Sequence, residues 1–495
     1  MIAAATTVTI PSIHYLALLP VFTFFGASLL LLVLSAVVTD KVRINLATAI
    51  TSLASVAVMV YAIFQWSYVA NHGATTTVAH AIVLDGFAVV GTFAIGAALL
   101  MSAFVAHDWA KRERIAGADF HILALASATG ALLMVQANDL IVIFLGLEIL
   151  SIGLYVLVGF DRHRSTSDEG ALKYFLLGGF ASAIFIYGAA LVYGATGSTN
   201  LSSIGYFLSQ NVVLHPGLLY AGGGLLLIGF AFKVAAVPFH AWSPDVYEGA
   251  PTPVTGMMAS IVKVGAFAAL LRVLASALGT QLDTWRPILF VLVILTCVVG
   301  ASVALVQRNV KRLLAYSSIN QAGFMLLGVW AGTARGVAGT LFYVLTYAPV
   351  VIATFAIVTL VGGKGDEHHS IDHYRGLARR QPWLGGALAV LLLTQLGAPL
   401  TVGFYAKFTV LAATIDAGGG ALALVALLSA AIAAYFYLRF ALTLYADDDV
   451  EGTRITVPWL TGTTIAVGVI VAILFGIWPG PLATWVQHAT MLFLP

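Results

Sequence analysis

The sequence predicts an all-α polytopic membrane protein of about fourteen transmembrane helices, and three observations carry that expectation. Of its 495 residues, 60% are hydrophobic and only 9% are charged, where a soluble chain carries about 25%. Apolar runs of about 17–26 residues recur along its whole length, enough for a helix to cross a hydrocarbon core about 30 Å thick. Lysine and arginine fall almost entirely in alternate loops between those runs. The mean hydropathy of +0.99 agrees.

The runs lie at 14–38, 45–66, 86–106, 120–137, 139–160, 169–194, 217–240, 253–278, 286–306, 310–331, 335–360, 383–415, 420–444 and 458–479. The first has no positive residue before it and is too long for a signal-peptide core, so it is expected to be a retained transmembrane helix. The segment 198–211 is too short and polar to span and belongs at the interface. The last fifteen residues look like a short amphipathic tail.

Orientation follows from loop charge. Lys41 and Arg43 fall in the first loop, Lys111, Arg112 and Arg114 in the third, and Arg162 and Arg164 in the fifth. Arg308, Lys311 and Arg312 occupy the ninth, Lys364, Arg375, Arg379 and Arg380 the eleventh, and Arg454 the thirteenth. Even-numbered loops hold only Arg286 and Arg335. Odd loops are therefore expected to be cytoplasmic and both termini to face outward.

Composition also excludes several chemistries. A formal charge of +2 gives no reason to expect nucleic acid. The single cysteine, Cys297, sits in an apolar run, which rules out a CxxC motif and a thiolate-held iron–sulfur cluster. No GxGxxG follows a strand, so no dinucleotide site is expected. His368, His369 and His373 read as a solvated loop rather than a metal site.

The stretch 229–267 organises the rest: GFAFKVAAVPFHAWSPDVYEGAPTPVTGMMASIVKVGAF. An apolar helix runs through Lys233 and breaks at Pro238. A polar turn with Asp245 and Glu248 follows, and helix resumes after Pro251 and Pro253, with Lys263 deep inside it. An ammonium in hydrocarbon costs roughly 2.5–3.5 kcal/mol even on lenient scales, so each lysine is a functional candidate. A second break, GAPLTVGF, contains Gly397 and Pro399 and is followed by Lys407. Two interrupted helices five spans apart suggest inverted repeats. A single membrane domain is expected over 1–495. Spans 1–3 occupy 1–119, the first repeat (spans 4–8) 120–278, the second (spans 9–13) 279–444, and span 14 with the tail 445–495.

Glu148, in the run that starts after Asp139, falls near mid-membrane at 1.5 Å per residue. With Lys233, Lys263 and Lys407 it makes a row of ionisable groups. Two like charges about 7 Å apart at an effective dielectric near 20 repel by roughly 2.4 kcal/mol. Moving one charge across about 150 mV costs roughly 3.5 kcal/mol. The quantities match in scale, so such a row can oppose a membrane potential. Asp85, Asp139 and Asp416 sit at span ends, where snorkelling explains them; Lys173 and Arg439 are terminal too. His240 is either a proton relay beside Lys233 or a structural histidine.

Five stretches resemble the antiporter-like membrane subunits of respiratory complex I, and among them subunit N, the counterpart of mitochondrial subunit 2. They are NDLIVIFLGLEILSIGLYVL, ALKYFLLGGFASAIFIYGAALVYGATG, FKVAAVPFHAWSPDVYEGAPTPVTG, QRNVKRLLAYSSINQAGFMLLG and GAPLTVGFYAKF, covering spans 4–12. The resemblance implies an ion pair between Glu148 and Lys233, a central relay at Lys263, and a terminal lysine, Lys407, facing the next subunit. It implies a non-redox, proton-translocating subunit of an NADH:quinone oxidoreductase in a bacterial inner membrane, beside K-type and M-type neighbours. NADH, FMN, Fe–S clusters and quinone then belong to other subunits. Lysine rather than glutamate at 407 argues against subunit M, and the absence of a long lateral helix against subunit L. Ala406 stands where the family often has glycine. The alternatives are an Mrp-type sodium/proton antiporter or membrane-bound hydrogenase subunit, and a passive scaffold whose lysines only pair.

Overall fold

The computed structural model describes residues 13–37, 40–115, 117–161, 164–447 and 454–491. Arg162 and the last four residues of the expected tail lie outside them. Of the described residues, 82% are helical. In hydrocarbon every backbone N–H and C=O must be satisfied within its own segment, and a helix does that.

The helices run in order α1 (Tyr15–Val37), α2 (Asp40–His72), α3 (Gly86–Glu113), α4 (Asp119–Gln136), α5 (Leu140–Val158), α6 (Ser165–Thr196), α7 (Leu201–Gln210), α8 (Pro216–Lys233), α9 (Trp242–Gly249) and α10 (Thr252–Met257). Then follow α11 (Lys263–Arg272), α12 (Leu282–Ala304), α13 (Val310–Ala331), α14 (Ala334–Gly362), α15 (Leu377–Arg380), α16 (Pro382–Leu396), α17 (Val402–Asp416), α18 (Gly420–Thr443), α19 (Trp459–Ile477) and α20 (Gly480–Met491). Between α2 and α3 a short hairpin pairs β1 (Thr75–Thr77) antiparallel to β2 (Ile82–Leu84), with Thr75 opposite Leu84. Side-chain caps fix several starts: Asp139 accepts from Ile141 N at 2.8 Å, and Asn309 from Lys311 N at 2.9 Å.

Among the described residues, twelve helices are long and apolar enough to cross a membrane, not the fourteen expected. The two shortfalls have physical causes. α13 forms over 22 residues, but Lys311, Arg312, Ser317, Ser318, Asn320 and Gln321 dilute its hydropathy. The run at 383–415 is two helices of 15 residues each, α16 and α17, joined at Gly397–Thr401. The first break also falls earlier than Pro238. α8 ends at Lys233 itself, and Ala235 takes a left-handed conformation (φ 59°).

The segment Thr252–Ala277 is buried at every residue but Ala275, and α14 is buried over nearly all its length. They form the middle of the bundle, with α14 packed against α3, α13, α17 and α19. α5 and α6 stand at its edge and leave Leu145, Ile152, Leu172, Phe175 and Phe180 exposed, the apolar face a lipid or a neighbouring chain covers.

Candidate functional site

Three of the row's four members are deeply buried: Lys233, Lys263 and Lys407 are 3, 3 and 6% exposed. Each is placed by an irregularity in its helix. Lys233 closes α8, where the chain leaves helical geometry. Lys263 directly follows a π-helical turn, Met258–Val262, within the central segment. Such turns concentrate at functional sites. Lys407 sits in α17 and reaches back over the break to the end of α16.

Their partners are dipoles. Lys233 Nζ donates to Ser151 Oγ at 2.7 Å and to Tyr174 OH at 3.2 Å. Lys263 Nζ donates to Ser318 O at 2.5 Å and lies 5.8 Å from the centre of the Tyr347 ring. Lys407 Nζ donates to Gln395 O at 3.0 Å and Leu396 O at 2.7 Å, last-turn carbonyls of α16 that the break leaves without helical partners. The helix C-terminus carries partial negative charge, so an ammonium there is favoured without an acid.

The ion pair expected between Glu148 and Lys233 is not formed in this structure. Glu148 is half-buried and accepts from Ser182 Oγ of α6, while Lys233 bonds Ser151, three residues further along α5. His240 stands past the break with its ring 6.4 Å from that of Tyr316, and no hydrogen bond among the described residues joins it to Lys233.

Between Lys263 and Lys407 lies a set of polar groups that reading the sequence missed. Gln321 of α13 donates to Gln395 O at 2.7 Å and to Tyr437 OH at 3.0 Å, and accepts from Tyr343 OH. Tyr347 OH donates to Ser318 Oγ at 3.2 Å, and Ser317 Oγ bonds Tyr437 OH. Gln395 Nε2 donates to Thr354 Oγ1 at 2.9 Å. A cavity of about 10 Å³, room for the centre of one water molecule, is lined in part by Gln321, Tyr343, Thr346, Tyr347, Thr394 and Gln395. The available signal was Ser317, Ser318 and Gln321 at helical spacing on one stripe of α13.

Other buried cations behave differently. Arg272 and Asp85 are 1 and 0% exposed and pair through Nη1–Oδ2 at 2.7 Å. Asp85 therefore does not snorkel to water. It also caps α3, accepting from Ala88 N at 2.7 Å. Lys311 Nζ lies 3.2 Å from Asp366 Oδ2, and Arg164 Nη1 lies 3.2 Å from the same oxygen. Thr252 N and Oγ1 donate to Asp366 at 3.1 and 2.6 Å. One carboxylate thus ties the starts of α6, α10 and α13. Burial alone would raise the Asp366 carboxyl, but Lys311, His369 and Thr252 hold it well below the usual carboxylate range. His369 lies 3.1 Å from Asp366 and is buried, so the histidine loop is not simply solvated. Burial lowers the His369 pKa, against the pull of Asp366 and with the push of Lys311 and Arg164. Among the described residues no cluster of three or more His, Cys, Asp or Glu could hold a metal.

At the same charged end, Asp245 and Glu248 of α9 are each 2.8 Å from Arg312 Nη1, and Lys173 lies 2.7 Å from Asp245. These pairs pin the short helix after the first break to α6 and α13.

Residues 137–433 match the family model described as NADH:quinone oxidoreductase/Mrp antiporter, TM. NADH-quinone oxidoreductase subunit N of Parafrankia sp. is 39% identical, over 97% of this chain and 95% of its own. A chain of respiratory complex I from Thermus thermophilus, solved with bound aureothin, superposes with a TM-score of 0.80 at 34% identity, covering 94% of this chain and 98% of that one. A chain of the Mrp complex from Dietzia sp. shares the fold, with a TM-score of 0.84 at 20% identity and 97% of each chain covered.

Proposed function

The chain belongs to the NADH:quinone oxidoreductase/Mrp antiporter transmembrane family, and from that premise we propose how it works as a proton-translocating membrane-arm subunit of the subunit N type. The observation that carries the reading is a contrast within one molecule. Where a buried cation fastens helices it faces a carboxylate, as Arg272 faces Asp85 and Lys311 faces Asp366. Among the described residues, Lys233, Lys263 and Lys407 have no carboxylate within ion-pair distance; hydroxyls, carbonyl oxygens and ring faces hold them. Removing a proton from a salt-bridged lysine strands its partner's charge. Removing one from a lysine held by dipoles strands nothing, so a buried amine of that kind can alternate between charged and neutral forms.

A proton arriving at Lys233 passes to Lys263 and leaves by Lys407. Between the last two, the hydroxyls of Tyr343, Tyr347 and Tyr437 can each accept and donate, while Gln321 orients Tyr343 and Tyr437 without itself carrying a proton. Glu148 sets the charge seen by Lys233: held by Ser182 it leaves the lysine free, and swung inward it would favour the ammonium. Like-charge repulsion along the row then drives the step outward. His240 is a candidate relay at the charged end of the break.

Counting α13 and the α16–α17 pair as crossings gives fourteen spans, in two inverted repeats that each carry one interrupted helix. Positive loops on the cytoplasmic side of a bacterial inner membrane put both termini outside. Neighbours of the K and M types flank the chain, and the redox groups lie in other subunits. The 34% identical complex I chain favours this reading over the Mrp one, whose likeness extends to the fold. The test is Lys407→Met in the assembled complex in sealed vesicles. The ratio of protons translocated to quinone reduced should fall; a wild-type ratio contradicts a path through Lys407.

A further inference from the structure

Helices α2, α3 and α4 precede the matched region and hold a second set of buried polar groups. At their positively charged end, Thr48 Oγ1 lies 2.7 Å from His107 Nδ1 and 3.2 Å from His121 Nε2, and donates to Ile44 O at 2.9 Å. A hydroxyl has one hydrogen and two acceptor sites. With that hydrogen on Ile44 O, the hydroxyl's two acceptor sites suit His107 in the Nδ1–H form and His121 in the Nε2–H form. Neutral His121 therefore presents Nδ1 as a bare acceptor. The residue is 0% exposed, and no described protein group donates to that nitrogen.

The same seam continues inward. Thr51 and Ser55 follow Thr48 on one face of α2, at the spacing that puts side chains above one another. A Cβ on Gly96 of α3 would stand 3.2 Å from Ser55 O, and His107 meets Thr48, so Thr51 falls between these two points of the α2–α3 contact. Thr51 and Ser55 are both 0% exposed, and neither hydroxyl finds a partner among the described residues. Helical serine and threonine commonly return to the carbonyl four residues back, as Thr48 does; these two do not. Beyond Ser55, fully buried Val58, Ile95 and Leu99 close the seam.

Buried polar atoms without partners are rare and costly, and ordered water with about three hydrogen bonds is the usual remedy. We infer that the seam between α2, α3 and α4 is a binding site for ordered water, a blind file that starts with a water donating to His121 Nδ1 and runs inward along Thr51 and Ser55. It is separate from the lysine row and dead-ends within the bundle.

Cryo-EM of the assembled complex, at a resolution that shows ordered water elsewhere in the membrane arm, tests this directly. Density is expected within hydrogen-bonding distance of His121 Nδ1 and of the two hydroxyls. In the Thr51→Val/Ser55→Ala variant the inner density should be lost and the melting temperature lowered, because water-bonded hydroxyls are being removed. A wild-type map with those hydroxyls turned onto their own helix carbonyls and no density in the seam overturns the inference. So does a double variant as stable as wild type or more so, since deleting a dry, unpaired hydroxyl relieves a penalty.

Discussion

Lys407 runs past the α-carbon of Gly397 so closely that a Cβ there would stand 2.9 Å from its Cδ and 3.5 Å from its Nζ. Gly397 also has φ +89°, a conformation L side chains rarely adopt. The glycine thus does two things: it ends α16 in a left-handed turn, and it leaves the lysine room to reach the carbonyl oxygens of Gln395 and Leu396.

Gly397→Ala should therefore lower proton translocation several-fold by moving Lys407 off those carbonyls. Gly386→Ala on the same helix places its Cβ in open space and should change nothing. Acid-quench or dye measurements on vesicles at matched amounts of assembled complex compare the two. Equal effects would detach Gly397 from the position of Lys407.

Asp85→Ala strands Arg272, a charge 1% exposed. Breaking a buried pair typically costs about 3–5 kcal/mol, so less complex should assemble and what assembles should melt earlier. Asp85→Ala/Arg272→Met should recover part of the loss. Protons moved per quinone reduced should stay at the wild-type value, because this pair fastens helices and carries nothing. Normal melting of the single variant would show that the pair is not needed.

The Asp366 cluster makes a pH prediction. His369 has its pKa lowered in the folded protein, by burial first. Below its ordinary value near 6.5 the unfolded chain therefore binds more protons than the folded one. Stability is full above that pH and declines as pH falls toward the lowered folded value. The Asp366 carboxyl, held low, adds stability that is lost only in stronger acid, below about pH 4. Melting temperature followed from pH 8 to 5 should fall for wild type, and the slope should be smaller in His369→Gln. Parallel curves would remove His369 as the titrating group.

Much of this was legible in the sequence. Lys233, Lys263 and Lys407 declare themselves because an ammonium inside an apolar run has few explanations, and Gly397 with Pro399 marks a break by backbone chemistry alone. What could not be read was who meets whom. Glu148 and Lys233 are a natural pair on charge, yet packing gives Ser182 to one and Ser151 to the other. Asp85 looked solvated because it lies at a helix end, and its partner Arg272 is 187 residues away. Gln321 is uncharged, so nothing in hydropathy singles it out, though three helices converge on its amide. α13 was counted as an ordinary span from its length, while its polar stripe is what links Lys263 to Lys407.

The most direct test sets Lys263→Arg against Lys263→Met in reconstituted vesicles, measuring proton pumping at equal assembled amount. Arginine keeps a positive charge but has a pKa above about 12 and cannot release its proton in a protein. Methionine removes the charge and keeps similar bulk. If Lys263 relays protons, both variants pump poorly and arginine does not rescue. If it supplies only a fixed positive charge against Ser318 O and the Tyr347 ring, methionine fails and arginine restores pumping to near wild type, a result that contradicts the relay.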